Sequence, residues 1–159
     1  PGRAELHVHR GHARLAEGKL DDALADFDLA AGLDSTLIAA VVGRGVVLRL
    51  RGNLEEAEKE LTRALAMDPT RPETHLERAR VYLDWKLLAD AERDARESLR
   101  MRSTSEGFHL LGVVLLEKGD AQRAIRTFEA ALIASPAPLL RKRIEEDLAK
   151  ARREKEKQK

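Results

Sequence analysis

The chain has 159 residues, of which 43% are apolar, 36% charged and only 3% aromatic, with a net charge of +1 and no cysteine. That is enough apolar material for one core of ordinary size, while the missing cysteines exclude disulfides, thiolate metal sites and cysteine nucleophiles. No apolar run approaches the roughly 18 residues of a membrane span, and the mixed charge of residues 1–138 (net −3) excludes a basic nucleic-acid surface there.

In chain order, residues 4–17 form an amphipathic pattern that stops at Gly18, and Asp21 and Asp22 then place acidic groups where a following helix favours them. The second helix carries Leu20, Ala23, Leu24, Phe27, Ala30 and Ala31 at spacings of three and four, one apolar face. The same pair recurs at 38–51 and 54–67, at 72–85 and 88–102, and at 105–118 and 121–134. Asp68-Pro69 and Ser135-Pro136 close two of the pairs, because proline cannot continue a helix. Asp34-Ser35 and Arg102-Ser103 close the other two.

The pairs are copies of one another. Ala23, Ala57, Ala91 and Ala124 fall 34, 34 and 33 residues apart, and Gly11, Gly45, Ala79 and Gly112 keep the same steps. A fixed period in this range marks a repeat architecture of helix–turn–helix units. The small residues are expected to face each other so that the helices of a pair approach closely, with Phe27, Leu61 and Phe128 plugging the seam between repeats. Repeat three departs from the pattern, with Lys86 in the glycine slot, Ala95 in the plug position and one residue fewer. A local irregularity is expected there, with Tyr82 or Trp85 supplying volume.

From Pro138 the 34-residue pattern is read as ending. Leu140, Ile144, Leu148 and Ala151 form the stripe of a ninth helix capping repeat four, and the wholly polar stretch after Arg152 is expected to fray. The division is therefore residues 1–138 as four repeats (4–37, 38–71, 72–104 and 105–138), then 139–159 as a capping helix with a frayed charged tail.

These spacings resemble the tetratricopeptide repeat family over residues 4–138. The departures are His7, Val41, His75 and Phe108 at an aromatic position, and Arg10, Arg44 and Arg78 where a leucine is usual, read as a solvated polar edge. The resemblance implies an all-α, right-handed superhelical solenoid whose first helices line a concave groove for a peptide or partner protein. Carried over by register, the groove positions are Glu5, Val8, His12 and Leu15 in repeat one, and Ala39, Val42, Val46, Arg49 and Leu50 in repeat two. Glu73, Leu76, Arg80, Leu83 and Asp84 follow in repeat three, then Glu106, His109, Val113 and Leu116 in repeat four. Val42, Val46, Leu76, Leu83 and Val113 are expected to form an apolar floor, with the charged positions setting orientation. Co-chaperones of this family grip a C-terminal carboxylate with cations and an asparagine. The matching positions here hold Val8, His12, Gly43, Glu73 and Glu77, so no such clamp is expected.

Other constellations read as structural. His7, His9 and His12 point about 200° and 140° apart on a helix, so they do not converge on a metal, and no metal or cofactor is expected. Asp21/Asp22 and Glu55/Glu56 recur in register, which suits helix-start electrostatics better than catalysis. The alternating charges of the tail read as a solvated helix. The chain opens on Pro1 and shows no signal-peptide pattern, which reads as a piece of a longer protein, expected in the cytoplasm. The function expected is a non-enzymatic interaction scaffold. The alternative is a module that assembles with its own copies through the groove or an open repeat end.

Overall fold

A computed structural model describes residues 2–157, so Pro1, Gln158 and Lys159 at the limits of the expected divisions lie outside the described residues. The described residues form nine helices: α1 (Arg3–Ala16), α2 (Leu20–Leu33), α3 (Ile38–Leu50), α4 (Leu54–Met67), α5 (Pro72–Asp84), α6 (Leu88–Met101), α7 (Ser105–Glu117), α8 (Ala121–Ile133) and α9 (Pro138–Lys157). Apart from α2, for which the sequence reading gives only the apolar face, the first eight fall within one residue of the boundaries read from the sequence.

Each helix packs on the next in the chain, and the first helices of successive pairs also touch one another. No such contact joins α2, α4, α6 and α8 among the described residues. The first helices are thus the inner layer of a curved stack, and the second helices its outer layer.

The turn inside each pair is built the same way. Gly18, Gly52 and Gly119 take φ of 75°, 83° and 80°, and the next residue's N–H reaches back to the last helical turn, as from Lys19 to the Arg14 carbonyl at 2.9 Å. Lys86 adopts the same left-handed backbone, φ 64°, and Leu87 N–H still bonds the Tyr82 carbonyl at 2.8 Å. The register of the repeat therefore imposes the turn on a residue with a Cβ. Between pairs, Asp34 accepts from the backbone N–H and hydroxyl of Thr36, and Asp68 does the same with Thr70, turns in which an aspartate side chain folds onto its own loop.

Ala23, Ala57, Ala91 and Ala124 are fully buried, but the glycines opposite them mainly make room for a larger neighbour. A Cβ on Gly11 would lie 2.8 Å from the Phe27 ring, one on Gly45 2.8 Å from Leu61, and one on Gly112 2.5 Å from Phe128. This corrects the expected glycine–alanine facing, since the nearest partner is the plug residue four positions beyond the alanine. Phe27 also reaches the next repeat, where a Cβ on Gly43 would stand 2.4 Å from its ring.

Repeat three keeps its helix lengths. Its missing residue comes out of the loop 102–104, against four-residue loops at 34–37, 68–71 and 134–137. Tyr82 is buried with Ala91 and Val114, whereas Trp85 is 41% exposed; the plug position itself, Ala95, packs in the cluster of Leu76, Ala79, Leu110, Leu111 and Leu115.

The periodicity does not end at Pro138. Ile144 follows Leu110 by 34 residues, and Val47, Val81, Val114 and Leu148 form a buried series with steps of 34, 33 and 34. Helix α9 meets α8 and α7 just as α7 meets α6 and α5, so it occupies the place of a fifth first helix. Its backbone stays helical to Lys157, past Arg152, with Arg152 bonded to Glu129 of α8 and Lys157 to Glu154.

Gly43→Ala is expected to cost about 1–3 kcal/mol through overpacking against Phe27, while Gly32→Ala, where nothing lies within 4 Å, is neutral or stabilising. Urea titration of the two variants measures the contrast. Lys86→Gly is expected to gain about 0.5–1 kcal/mol, because the left-handed backbone costs a residue with a Cβ about 1–2 kcal/mol and the exposed ion pair it gives up with Glu117 is worth little; the same titration reads it.

Candidate partner-binding groove

The inner layer brings some of the expected groove residues together and withdraws others. His12 of α1, Ala39 and Val42 of α3, and Arg71, Glu73 and Thr74 at the start of α5 line one cleft of about 150 Å³ spanning three repeats. His12, Ala39, Val42 and Glu73 were expected positions, whereas Arg71 and Thr74 were not. Arg71 lies in the loop that the pattern of the first helices leaves out, whereas Thr74 is in the first turn of α5, one residue beyond Glu73. The His12 ring sits edge-on to Phe27, 5.1 Å between centroids, and partial burial with His9 nearby holds its pKa below the ordinary histidine value.

Val8 and Leu76 belong to the core rather than to a groove floor: they are 6% and 8% exposed and packed within buried clusters. Val42, Val46, Leu83 and Val113 are half-buried, with Leu83 and Val113 resting on the core around Leu111 and Leu115. The charged positions are already engaged. Arg49 bonds Asp84 across from α3 to α5 at 2.9 Å, Arg80 pairs with Glu77 on its own helix, and Glu73 pairs with Arg102. Arg49 Nε is buried without a hydrogen-bond partner among the described residues. The His109 ring lies tilted against Phe128, 5.9 Å between centroids, and bonds Asp147 of α9 at 2.8 Å, so its polar edge is taken up by the fifth inner helix. Glu106 is exposed.

The residues missed from sequence are buried carboxylates. Asp26 is fully buried in α2, and Arg10, Arg14 and His7 of α1 converge on it at 2.6, 2.8 and 3.3 Å. Asp94 of α6 repeats the arrangement with Arg78 at 2.6 Å and His75 at 3.4 Å. Glu60 of α4 stands in the same place, 3.6 Å from Arg44. The three arginines are therefore not a merely solvated edge; each reaches a carboxylate sixteen residues later. That signal was present, since Asp26, Glu60 and Asp94 are themselves 34 apart. Hydrogen bonding from Arg10 holds the Asp26 carboxyl below the ordinary aspartate pKa against the opposing effect of burial, with His7 and Arg14 helping.

Comparison with known proteins agrees with this geometry. The family model described as tetratricopeptide repeat matches residues 9–72, 42–107 and 76–138. The human protein tetratricopeptide repeat protein 7B is 29% identical over 138 residues, 84% of this chain but 16% of the relative. Human tetratricopeptide repeat protein 13 is 24% identical over 123 residues, again a small part (14%) of its length. The chain thus spans about a sixth of the length of these relatives. Among solved structures, a thermophilic tetratricopeptide repeat protein of Thermus thermophilus superposes with a TM-score of 0.84 at 24% identity, covering 94% of this chain and 83% of that one. Cut9 with Hcn1, a hetero-tetramer of the APC/C, gives 0.82 at 21% identity over 94% of this chain and 30% of that one. Both likenesses speak for the fold.

A carboxylate with a depressed folded pKa stabilises the protein above its unfolded pKa, near 4, and that contribution is lost as pH falls through the lower folded value. Asp26→Asn is expected to cost about 2 kcal/mol at neutral pH, the scale of hydrogen bonds to a charged group. It should also flatten the fall in stability below pH 4. Urea midpoints from pH 2 to 7 measure both effects.

Proposed function

The chain belongs to the tetratricopeptide repeat family, and on that premise we propose that it binds a segment of a partner protein in the groove of its inner layer. Repeats of this family generally serve as protein–protein interaction scaffolds rather than enzymes. No helix of the described residues is long and apolar enough to cross a membrane.

The observation that carries the reading is the cleft at His12, Ala39, Val42, Arg71, Glu73 and Thr74. Its floor is apolar and its rim carries one cation and one anion, which suits an apolar side chain of a helix or extended segment with polar groups beside it. The His12 ring, edge-on to Phe27, adds a flat wall. Because Arg49, Arg80 and Glu73 are already paired, they contribute orientation more than affinity: a ligand charge must displace a standing partner. Val8, His12, Gly43, Glu73 and Glu77 supply no cation for a terminal carboxylate, so the ligand is held along its length, not by its end.

His12→Glu combined with Val46→Glu, checked for unchanged helicity by circular dichroism, is expected to weaken partner capture at least tenfold in co-purification followed by mass spectrometry. Undiminished capture by the folded variant overturns the proposal. Sedimentation of the wild type at several concentrations separates it from self-assembly: a mass that rises with concentration and collapses in the variant assigns the groove to a second copy.

A further inference from the structure

Arg71 and Thr74 both line the cleft between α1, α3 and α5, and their polar groups bond nothing in the scaffold. Arg71 stands just before α5 and makes no side-chain cap bond to it. Among the described residues it has no hydrogen-bond or ion-pair partner, although Asp68 and Glu73 are near enough to feel its charge. Glu73, the other charge at the rim, is taken by Arg102. Thr74 is 1% exposed, and its hydroxyl likewise has no hydrogen-bond partner among the described residues. A buried hydroxyl left unpaired is costly, and such groups in proteins are mostly satisfied.

The other repeats put these positions to structural use. The residue equivalent to Arg71 is Leu37 in repeat two, which packs on the core, and Thr104 in repeat four, whose hydroxyl accepts from the Gly107 N–H to cap α7. Arg71 has neither role. The equivalents of Thr74 are Ala40 and Gly107, so the packing of one repeat on the next calls for no hydroxyl there. Thr74 N–H bonds the Arg71 carbonyl at 3.1 Å, which puts the two residues on one turn, and residues three apart project from the same side of a helix. They stand at the end of α5 where the helix dipole favours a negative group. The cleft beside them, about 150 Å³, is the size of space that holds one benzene molecule in a protein interior, so it takes one apolar side chain.

Resting on the groove as the place of binding, we propose that Arg71 and Thr74 select a partner segment that carries an aspartate or glutamate side chain beside the apolar residue seated in the cleft. The guanidinium donates to the carboxylate in the fork geometry that matches its two oxygens, and the Thr74 hydroxyl donates a further hydrogen bond. A carboxylate suits this pair better than a phosphate. A phosphate brings about 1.5 to 2 negative charges, and here it meets one unpaired cation with the Glu73 carboxylate close by. A lysine in the segment would face Arg71 as a like charge, which costs affinity. Arg71 and Thr74 thus set specificity, while Ala39 and Val42 supply the apolar burial.

A randomised peptide library displayed on phage and selected against the whole chain is the probe; recovered sequences are then synthesised and titrated by fluorescence anisotropy. The expected peptides pair an apolar residue with an aspartate or glutamate at a constant spacing. Selection against Arg71→Glu should recover lysine or arginine at that spacing instead. Lysine in place of the acid should weaken binding to the wild type about tenfold, and Arg71→Glu should restore it. Thr74→Val, nearly the same size, should weaken the acidic peptide about threefold and leave the lysine peptide unchanged. Arg71 has no side-chain bond to lose, so Arg71→Glu keeps the fold, and circular dichroism checks both variants. Peptides that His12→Glu with Val46→Glu releases, but that show no preference for an acid or bind Arg71→Glu equally, overturn this selectivity and leave the groove as the site of binding. Peptides indifferent to His12→Glu with Val46→Glu overturn both. Tighter binding when phosphoserine replaces the acid makes a phosphopeptide the occupant, and self-association of the chain that Arg71→Glu abolishes makes it a second copy; either result overturns the proposal.

Discussion

The structure depends on one contact made twice: the Phe27 ring lies over Gly11, sixteen residues back in its own repeat, and over Gly43, sixteen residues on in the next. A single side chain thereby fixes both the spacing within a pair and the spacing between pairs. Neither glycine position has room for a Cβ without movement, so the two distances are set by backbone against ring, with little slack. Phe128 repeats the arrangement with Gly112 behind it and the fully buried Ile144 of α9 sixteen residues ahead. That is why α9 sits as a fifth inner helix, although its sequence has lost the glycine and alanine signature.

The arginines use the same sixteen-residue geometry for polar groups, one residue to the side. Where Phe27 fills space between Gly11 and Gly43, Arg44 spans Asp28 and Glu60. Removing two charges from water is expensive, and a buried ion pair is weak evidence for net stability. Asp26 and Asp94 nevertheless sit at almost no exposure, each met by an arginine and a histidine. Their stronger consequence is register. A helix shifted out of reach of these donors would strand a buried carboxylate, and such a state is penalised more than a mismatched apolar contact.

The helices, their boundaries and the period were legible because they depend on local spacing, which a single chain displays directly. The turn at Lys86 and the shortened loop at 102–104 also fall where the period breaks, though the sequence could not say that the loop and not the helices would absorb the loss. What sequence reasoning placed wrongly were facing relations. Val8 and Leu76 look like groove residues on a helical wheel, yet the curvature of the stack turns them into the core. The arginines looked solvated because their carboxylates lie on another helix, and only the offset of sixteen connects them. The fifth inner helix was hidden for a related reason: apolar positions 144 and 148 keep the period while the small residues, which advertise it, do not.

This division of labour bears on specificity. A groove whose charges were free would bind many acidic or basic segments by Coulomb attraction alone. Here Arg49 is tied to Asp84, Arg80 to Glu77 and Glu73 to Arg102, so at these positions the inner wall presents ion pairs rather than isolated charges. Long-range attraction is weakened by that pairing, and discrimination passes to shape and apolar fit at the cleft between His12, Ala39 and Val42. The inner wall is also uneven along its length. At repeats one to three it holds an open cleft, whereas at repeat four His109 is spent on Asp147 and Val113 leans on the core that α9 completes. On the proposed reading, a bound segment is recognised at the first three repeats, where the cleft lies, while α9 covers the inner wall at the fourth.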